Sequence, residues 1–328
     1  MKYGAPHVTA TDITWVDRAL SSGTLSQGPL VETFEKGVAG YVGAKYACAF
    51  NSATSALFAA YTAVFPPGEN VVIPPVTFVA TANAAVNAQL TPVFSDNLWG
   101  KNVVPVHMAG RWCEFSGKRV VEDAAHALGS YGPDGKIGNC KHSDITVFST
   151  HAIKNITTGE GGVATTNSRR MLENMQILRD NGRKRGKCVV PGWNLRMSEM
   201  QAALGISQLE RIEKTKERRH ELFSMYLHGL NGIVDLPKPF EYETFPHLFV
   251  IHTGRRDRLK KHLAKVEIET AINYPLVYEQ PAYKYSEHYS SYKGAEWART
   301  CLSLPLHNNL KDGDVLKVCH EVKRWRER

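Results

Sequence analysis

What most restricts the fold of this chain is an alternation along its first two thirds. Short runs rich in β-branched residues trade places with segments of helical periodicity. Residues 46–50, 70–74, 91–95, 102–106, 119–122, 144–148 and 162–165 read as strands, and 53–64 and the alanine-rich 77–87 read as helices. Strands interleaved with helices build a mostly parallel sheet covered by helices on both faces. Ligands of such sheets sit at the carboxyl ends of the strands. The segment Asn51-Ser52-Ala53-Thr54-Ser55, Asp123, and the segment from Ser149 to Lys154 each follow a predicted strand, so they can converge on one crevice.

A long helix is expected to begin near Ser198, where Ser198-Glu-Met-Gln201 has the form of a capping box. Ala202, Ile206, Leu209 and Ile212 keep helical spacing, and the pattern runs to about Leu230 with a bend on the way. It leads into a smaller α/β unit with strand candidates at 247–252 and 268–274. The expected division is a large domain over 1–215 and a small one over 216–328. The 328 residues are 43% hydrophobic and 22% charged, enough to bury cores of this size.

No apolar run is long enough for a membrane span, and the N-terminus carries no apolar leader core, so a cytoplasmic protein is expected. The six cysteines are scattered with no C-x-x-C pair, which reads as reduced, packed thiols and no metal site. The net charge of +8 is concentrated in runs that lack aromatic interleaving, so no nucleic-acid partner is expected. The run around Asp180-Asn-Gly-Arg-Lys-Arg-Gly186 can either meet a phosphorylated substrate or be a solvated loop.

The chemistry concentrates at Ser149-Thr-His-Ala-Ile-Lys154-Asn-Ile-Thr-Thr-Gly-Glu-Gly-Gly162 and at Val120-Val-Glu-Asp123-Ala-Ala-His126. A lysine between an apolar strand and a glycine-rich turn can be desolvated and become nucleophilic. Together with an aspartate at a strand end, it answers the needs of pyridoxal 5'-phosphate (PLP): an amine for the aldehyde and a carboxylate for the pyridine nitrogen. Lys154 and Asp123 are the candidates. Thr54 and Ser55 can cradle a phosphate at a helix N-terminus, Phe78 can stack on the ring, and His126 can bond its phenolic oxygen. Each has a plainer alternative: capping for Asp123, Thr54 and Ser55, core packing for Phe78 and His126, a surface charge for Lys154. Residue by residue these stay open.

In order along the chain, these segments closely resemble the DegT/DnrJ/EryC1/StrS family of sugar aminotransferases. The resemblance runs through Tyr3-Gly-Ala-Pro6, Gly23-Thr-Leu-Ser-Gln-Gly-Pro29, Phe50-Asn-Ser-Ala-Thr-Ser-Ala-Leu57, Thr77-Phe-Val-Ala-Thr-Ala-Asn83 and Glu122-Asp-Ala-Ala-His126. It continues through the lysine segment, Trp193-Asn-Leu-Arg-Met-Ser-Glu-Met-Gln201, Asn273-Tyr274 and Leu302-Ser-Leu-Pro-Leu-His307. It implies the fold-type I architecture of aspartate aminotransferase-like enzymes, an imine-forming Lys154, and Asp123 paired with the pyridine nitrogen. Phe78 stacks on the ring with His126 beside it. Thr54, Ser55 and Ser149 hold the phosphate, and Asn194 reaches it from the other subunit of a homodimer. Tyr3, Gly23, Thr24, Leu25, Ser26, Ala53, Asn273 and Tyr274 fall where the family contacts its nucleotide-sugar. The implied reaction moves an amino group from glutamate, through pyridoxamine 5'-phosphate, to a sugar ketone. Within the family the segments are most similar to the pseudaminic acid branch, which aminates C4 of a UDP-linked 4-keto-6-deoxy-N-acetylhexosamine for glycan synthesis.

Three departures stand out. Thr150 replaces a usual Phe, Asn273 replaces a usual His, and few residues separate Asp96 from the next strand where relatives insert a helix, an edge expected to be more open. Rivals are a perosamine-type aminotransferase acting on a GDP-sugar, a dehydratase, which the presence of Lys154 disfavours, and a non-catalytic PLP-binding sensor.

Overall fold

The structure is a computed structural model of the chain and describes residues 1–289 and 291–326. Two helices, α1 (Ala10–Ser21) and α2 (Pro29–Val42), lead into β1 (Tyr46–Phe50), α3 (Ala53–Val64), β2 (Asn70–Ile73), α4 (Ala80–Asn87), β3 (Thr91–Phe94), β4 (Trp99–Val103) and β5 (Ser116–Asp123). A small hairpin, β6 (Tyr131–Gly132) and β7 (Gly135–Lys136), precedes β8 (Ile145–Ser149), β9 (Gly162–Thr166) and α5 (Arg169–Arg179). A second hairpin, β10 (Arg183–Lys184) and β11 (Lys187–Cys188), is followed by α6 (Glu199–Glu210) and α7 (Ile212–Leu230). The remainder is β12 (Phe249–His252), α8 (Arg256–Lys265), α9 (Tyr292–Thr300), β13 (Cys301–Leu304) and α10 (Asp312–Arg326).

Seven strands form the central sheet in the order β1-β9-β8-β5-β4-β2-β3. The pairs from β8 to β3 are parallel, and β9 runs antiparallel to both neighbours. Residues alternate across the sheet as strand geometry demands. In β1, Cys48 and Phe50 face a core shared with α3, α4 and α5, while Ala47 and Ala49 face a second core shared with α2 and α6. Every residue of β8 and β9 is buried, the reading expected of strands covered on both faces. A third core gathers α7, α8, α10, β12 and β13, with Met1 packed against it. No helix among the described residues is long and apolar enough to cross a membrane.

Local chemistry explains the helix ends. Ser52 caps α3 by accepting from Ser55 N–H, and Ser198 and Gln201 form the reciprocal capping box of α6. The long helical pattern breaks at Arg211, which separates α6 from α7. Gly28, ahead of α2, has no side chain to offer. The buried Glu199 of α6 takes that role, accepting from Gly28, Leu30 and Val31 N–H, each at 2.9 Å. A carboxylate at a helix N-terminus also opposes the positive end of the helix dipole.

Some expected boundaries move. The strand expected at 102–106 runs at Trp99–Val103, ahead of Pro105, which has no N–H to pair. Helix α4 starts at Ala80 rather than at 77. The expected strand at 268–274 does not form. Only Ala271 bridges to Ser303, and Pro275 disfavours regular continuation. β13 pairs with β12 in its place. The short turn after Ser95 is joined by distant chain: Phe94 N–H donates to Glu287 O, Tyr289 N–H to Phe94 O, and the Asp96 carboxylate accepts from Lys293 and Gly294 N–H.

Replacing Glu199 with Ala leaves three N–H groups, one buried and two half-buried, without their acceptor, and hydrogen bonds to a charged group contribute about 1.5–3 kcal/mol each at most. Urea unfolding of Glu199→Ala should show a loss of about 3 kcal/mol; an unchanged midpoint would deny Glu199 its capping role.

Candidate active site

Asp123 ends β5 in the middle of the sheet, and Ser149 ends the neighbouring parallel strand β8. Both therefore open onto the same edge, as does the N-terminus of α3 after β1. Between them lies a cavity of about 470 Å³, lined among others by Ala53, Thr54, Phe78, Thr81, Asp123, His126, Ser149, Lys154, Asn273 and Tyr274. This is the size range of small-molecule sites.

Lys154 lies on the loop after β8, its N–H bonded to His151 O. The loop closes tightly. Thr150 N–H donates to Gly161 O, Thr158 N–H to Thr150 O, and the Thr150 and Thr158 hydroxyls pair at 2.7 Å. Thr150 thus serves as a polar clasp within the loop. Gly162 brings the loop's end against α3. A Cβ there would sit 2.5 Å from both Ala53 Cα and Ala53 N, so no side chain is tolerated without moving the helix start.

Burial lowers the Lys154 pKa from 10.5 to about 8, with the Asp123 charge opposing. Burial raises the Asp123 pKa. Its carboxylate accepts from the Thr81 hydroxyl at 2.7 Å and from Ala125 N–H at 3.1 Å. Thr81 carried no assigned role in the sequence. No local spacing links it to Asp123, 42 positions further along the chain. His126 is buried, and desolvation pushes its pKa well below 6.5, so its imidazole is neutral. Phe78 is 56% exposed, with its ring in the cavity wall and 5.7 Å from Tyr274. A large apolar ring held at a cavity mouth is a surface for a flat ligand, not a core residue. His151 and Glu160 also line the cavity, 3.6 Å apart.

The other expected residues lie elsewhere in the single chain. The Ser55 hydroxyl donates to Asn51 Oδ1 at 2.7 Å. Tyr3 lines a second, small cavity that shares Ile153 with the main one, and donates to Asn273 Oδ1 at 2.8 Å. Gly23, Thr24, Leu25 and Ser26 form an exposed turn after α1, and Asn194 is exposed beside Trp193.

Comparison with known proteins decides the family. The model described as "DegT/DnrJ/EryC1/StrS aminotransferase family" matches residues 6–99 and 97–323. The chain belongs to this family. DegT/DnrJ/EryC1/StrS relatives include the spore coat polysaccharide biosynthesis protein SpsC of Bacillus subtilis, 32% identical over 379 positions that cover 98% of this chain and 96% of that one. A UDP-4-amino-4,6-dideoxy-N-acetyl-beta-L-altrosamine transaminase of Campylobacter jejuni is 30% identical, covering 96% and 95%. GDP-perosamine synthase of Caulobacter vibrioides is 31% identical, covering 94% and 91%. Among solved structures, Helicobacter pylori PseC, an aminotransferase of pseudaminic acid biosynthesis, superposes with a TM-score of 0.91 at 29% identity, covering 99% of each chain. Spr1654 of Streptococcus pneumoniae, solved in PLP and pyridoxamine phosphate forms, superposes at 0.90 and 0.91 with 26% identity, covering 100% of this chain and 98% of that one.

The chain is thus a PLP-dependent DegT/DnrJ/EryC1/StrS aminotransferase of the expected α/β fold. Its residues fit the cofactor. Asp123 is a buried carboxylate held by two neutral donors, which a protonated ring nitrogen would complement, and Lys154 is a buried amine with a lowered pKa.

Two outcomes are expected. Imine formation between cofactor-free protein and PLP needs the free-base amine, so its rate should rise with pH through a midpoint of about 8; a midpoint above 10 would contradict the burial of Lys154. Gly162→Ala should weaken PLP binding at least about tenfold, ~1.4 kcal/mol, in a fluorescence titration; unchanged affinity would show that the contact with Ala53 is immaterial.

Proposed function

We propose that the chain transfers the amino group of glutamate to the C4 ketone of a UDP-linked 4-keto-6-deoxy-N-acetylhexosamine. The observation that carries the reaction is the meeting of Lys154, Asp123 and Phe78 in one cavity at the strand ends. The similarity to the Campylobacter transaminase favours the UDP-sugar. The Caulobacter synthase, similar at nearly the same level, favours the alternative of a GDP-4-keto-6-deoxy sugar.

When bound, PLP supplies an electron sink for negative charge formed on a carbon next to nitrogen. The chain supplies the rest. Lys154 Nζ takes the proton from the donor's α-carbon and, in the return half, delivers one to C4 of the sugar, which is general acid–base work by one amine. Asp123, oriented by Thr81, would keep the ring nitrogen protonated. Phe78 would offer its face to the ring. The amides that open α3, with Thr54, Ser55 and Ser149, would hold the phosphate, as helix N-termini do. Tyr3, Gly23, Thr24, Leu25, Ser26, Ala53, Asn273 and Tyr274 are assigned to the nucleotide-sugar.

Asn194 is assigned to the cofactor phosphate of a second subunit, so the working unit is a homodimer. Support comes from the surface around it. An apolar groove of about 450 Å³ includes Phe58, Val189, Val190 and Trp193, with Val189 53% and Trp193 48% exposed. Exposed apolar surface of this kind is characteristic of interfaces.

The test is product analysis with UDP- and GDP-linked 4-keto-6-deoxy sugars, glutamate and PLP. A 4-amino sugar should form with one 2-oxoglutarate each, and Lys154→Ala should form neither; amine turnover by Lys154→Ala would end the assignment. Borohydride should fix the cofactor's mass onto Lys154. Mixing Lys154→Ala with Asn194→Ala subunits should restore about a quarter of the intact sites through hybrid dimers; no recovery after subunit exchange would argue against a shared site.

A further inference from the structure

The polar wall opposite Asp123 contains a hydrogen-bonded chain whose direction the backbone sets. Ala109 N–H points at His126 Nδ1, 3.3 Å away, so that nitrogen accepts. Burial keeps His126 neutral, with a single ring proton, which must then sit on Nε2. His126 Nε2 lies 3.2 Å from the Tyr274 oxygen, so the imidazole donates and the phenol accepts. Burial raises the Tyr274 pKa to about 12, with the Asn273 side chain opposing, so the phenol retains its own proton. No side-chain or backbone acceptor among the described residues takes that proton in a hydrogen bond, and Tyr274 lines the cavity beside Lys154. The ring is held in place from several sides. It packs 5.7 Å from Phe78, while the preceding residue is anchored by Trp297 Nε1–H on Asn273 O and by the Tyr3 hydroxyl on Asn273 Oδ1, both at 2.8 Å.

The geometry points to Tyr274 as a catalytic residue that donates its phenolic proton to the carbonyl oxygen of the sugar, with His126 as the positioning residue that keeps the phenol a donor. This rests on the reading of the sugar ketone as acceptor and adds the group that acts on its oxygen. Exchanging C=O for C=N with a primary amine releases one water. The carbon–oxygen bond breaks, a carbon–nitrogen bond replaces it, and both protons of the water come ultimately from the amine nitrogen. Tyr274 relays one of them: it gives its proton to the departing oxygen and regains one from that nitrogen, so charge and atoms balance. Lys154, whose proton traffic is with carbon, is left to that task. His247 packs against His126 with ring centres 4.4 Å apart and planes tilted by 42°, and burial keeps it neutral, so it brings no charge against the chain.

Tyr274→Phe removes the hydroxyl and keeps the ring. In single-turnover measurements, the half-reaction with the sugar ketone should slow about a hundredfold, the range of general acid catalysis, and far more than solvent exchange of the glutamate α-proton, a step that involves no carbonyl oxygen. Equal slowing of ketone turnover and α-proton exchange, or an unchanged ketone half, would overturn the proposal. Independently of activity, nitrogen NMR of histidine-labelled, cofactor-free wild-type protein should show His126 protonated on Nε2 and bare on Nδ1. The reverse tautomer would make Tyr274 donate to His126 and would also overturn it. Wild-type protein that takes amino groups from glutamate and passes them to no sugar ketone would defeat the functional reading instead, and the tautomer measurement would still decide the direction of the chain.

Discussion

The structure is organised around one unfavourable act: an amine and a carboxylate are taken out of water into the same crevice. Lys154 and Asp123 each lose solvation, and each shifts its pKa toward the neutral form. Each also acts on the other against that shift. A buried pair of this kind is poor cement, because desolvation offsets much of the attraction. Its value lies in reactivity. In the proposed reaction the amine would be partly free to attack near neutral pH, and the carboxylate would pair with a protonated ring.

Holding that arrangement needs stiffness close by. β8 and β9 are buried throughout, and the loop between them is closed by the Thr150–Thr158 pair and by Gly162 packed against the start of α3. Farther out, Arg179 donates to Glu35 and to Ala49 O, tying α5, α2 and β1 together beneath the sheet edge. Core, loop and site are thus one construction.

Much of this was legible in the sequence because the signals are local. The alternation of strand and helix patterns requires nothing distant, and β1 and α3 start and stop where the periodicity places them. Lys154 and Asp123 were legible because each follows a strand, and strand ends in parallel sheets share an edge. Thr81 and the His126–Tyr274 contact were less accessible. A donor to Asp123 from α4, 42 positions back, and a phenol 148 positions beyond His126 depend on how layers dock, which spacing does not encode. The failed strand at 268–274 has the same origin. Its composition suits a strand, and Ala271 does bridge to Ser303 on the edge of β13 away from β12, but the pairing goes no further and Pro275 stops the ladder.

The stitching at the β3 margin has a mechanical consequence. Edge strands invite foreign pairing, and here the final residue of β3 bonds to 287 and 289 of the same polypeptide, while Asp96 grips the backbone at 293 and 294. The C-terminal third is riveted to the sheet here too, as it is where Val277 N–H donates to Pro75 O and Tyr131 N–H to Glu243 O. Several separated rivets oppose rotation about any one. Traffic in and out of the crevice is left to movements of side chains and short turns, not to a swing of one half of the molecule against the other.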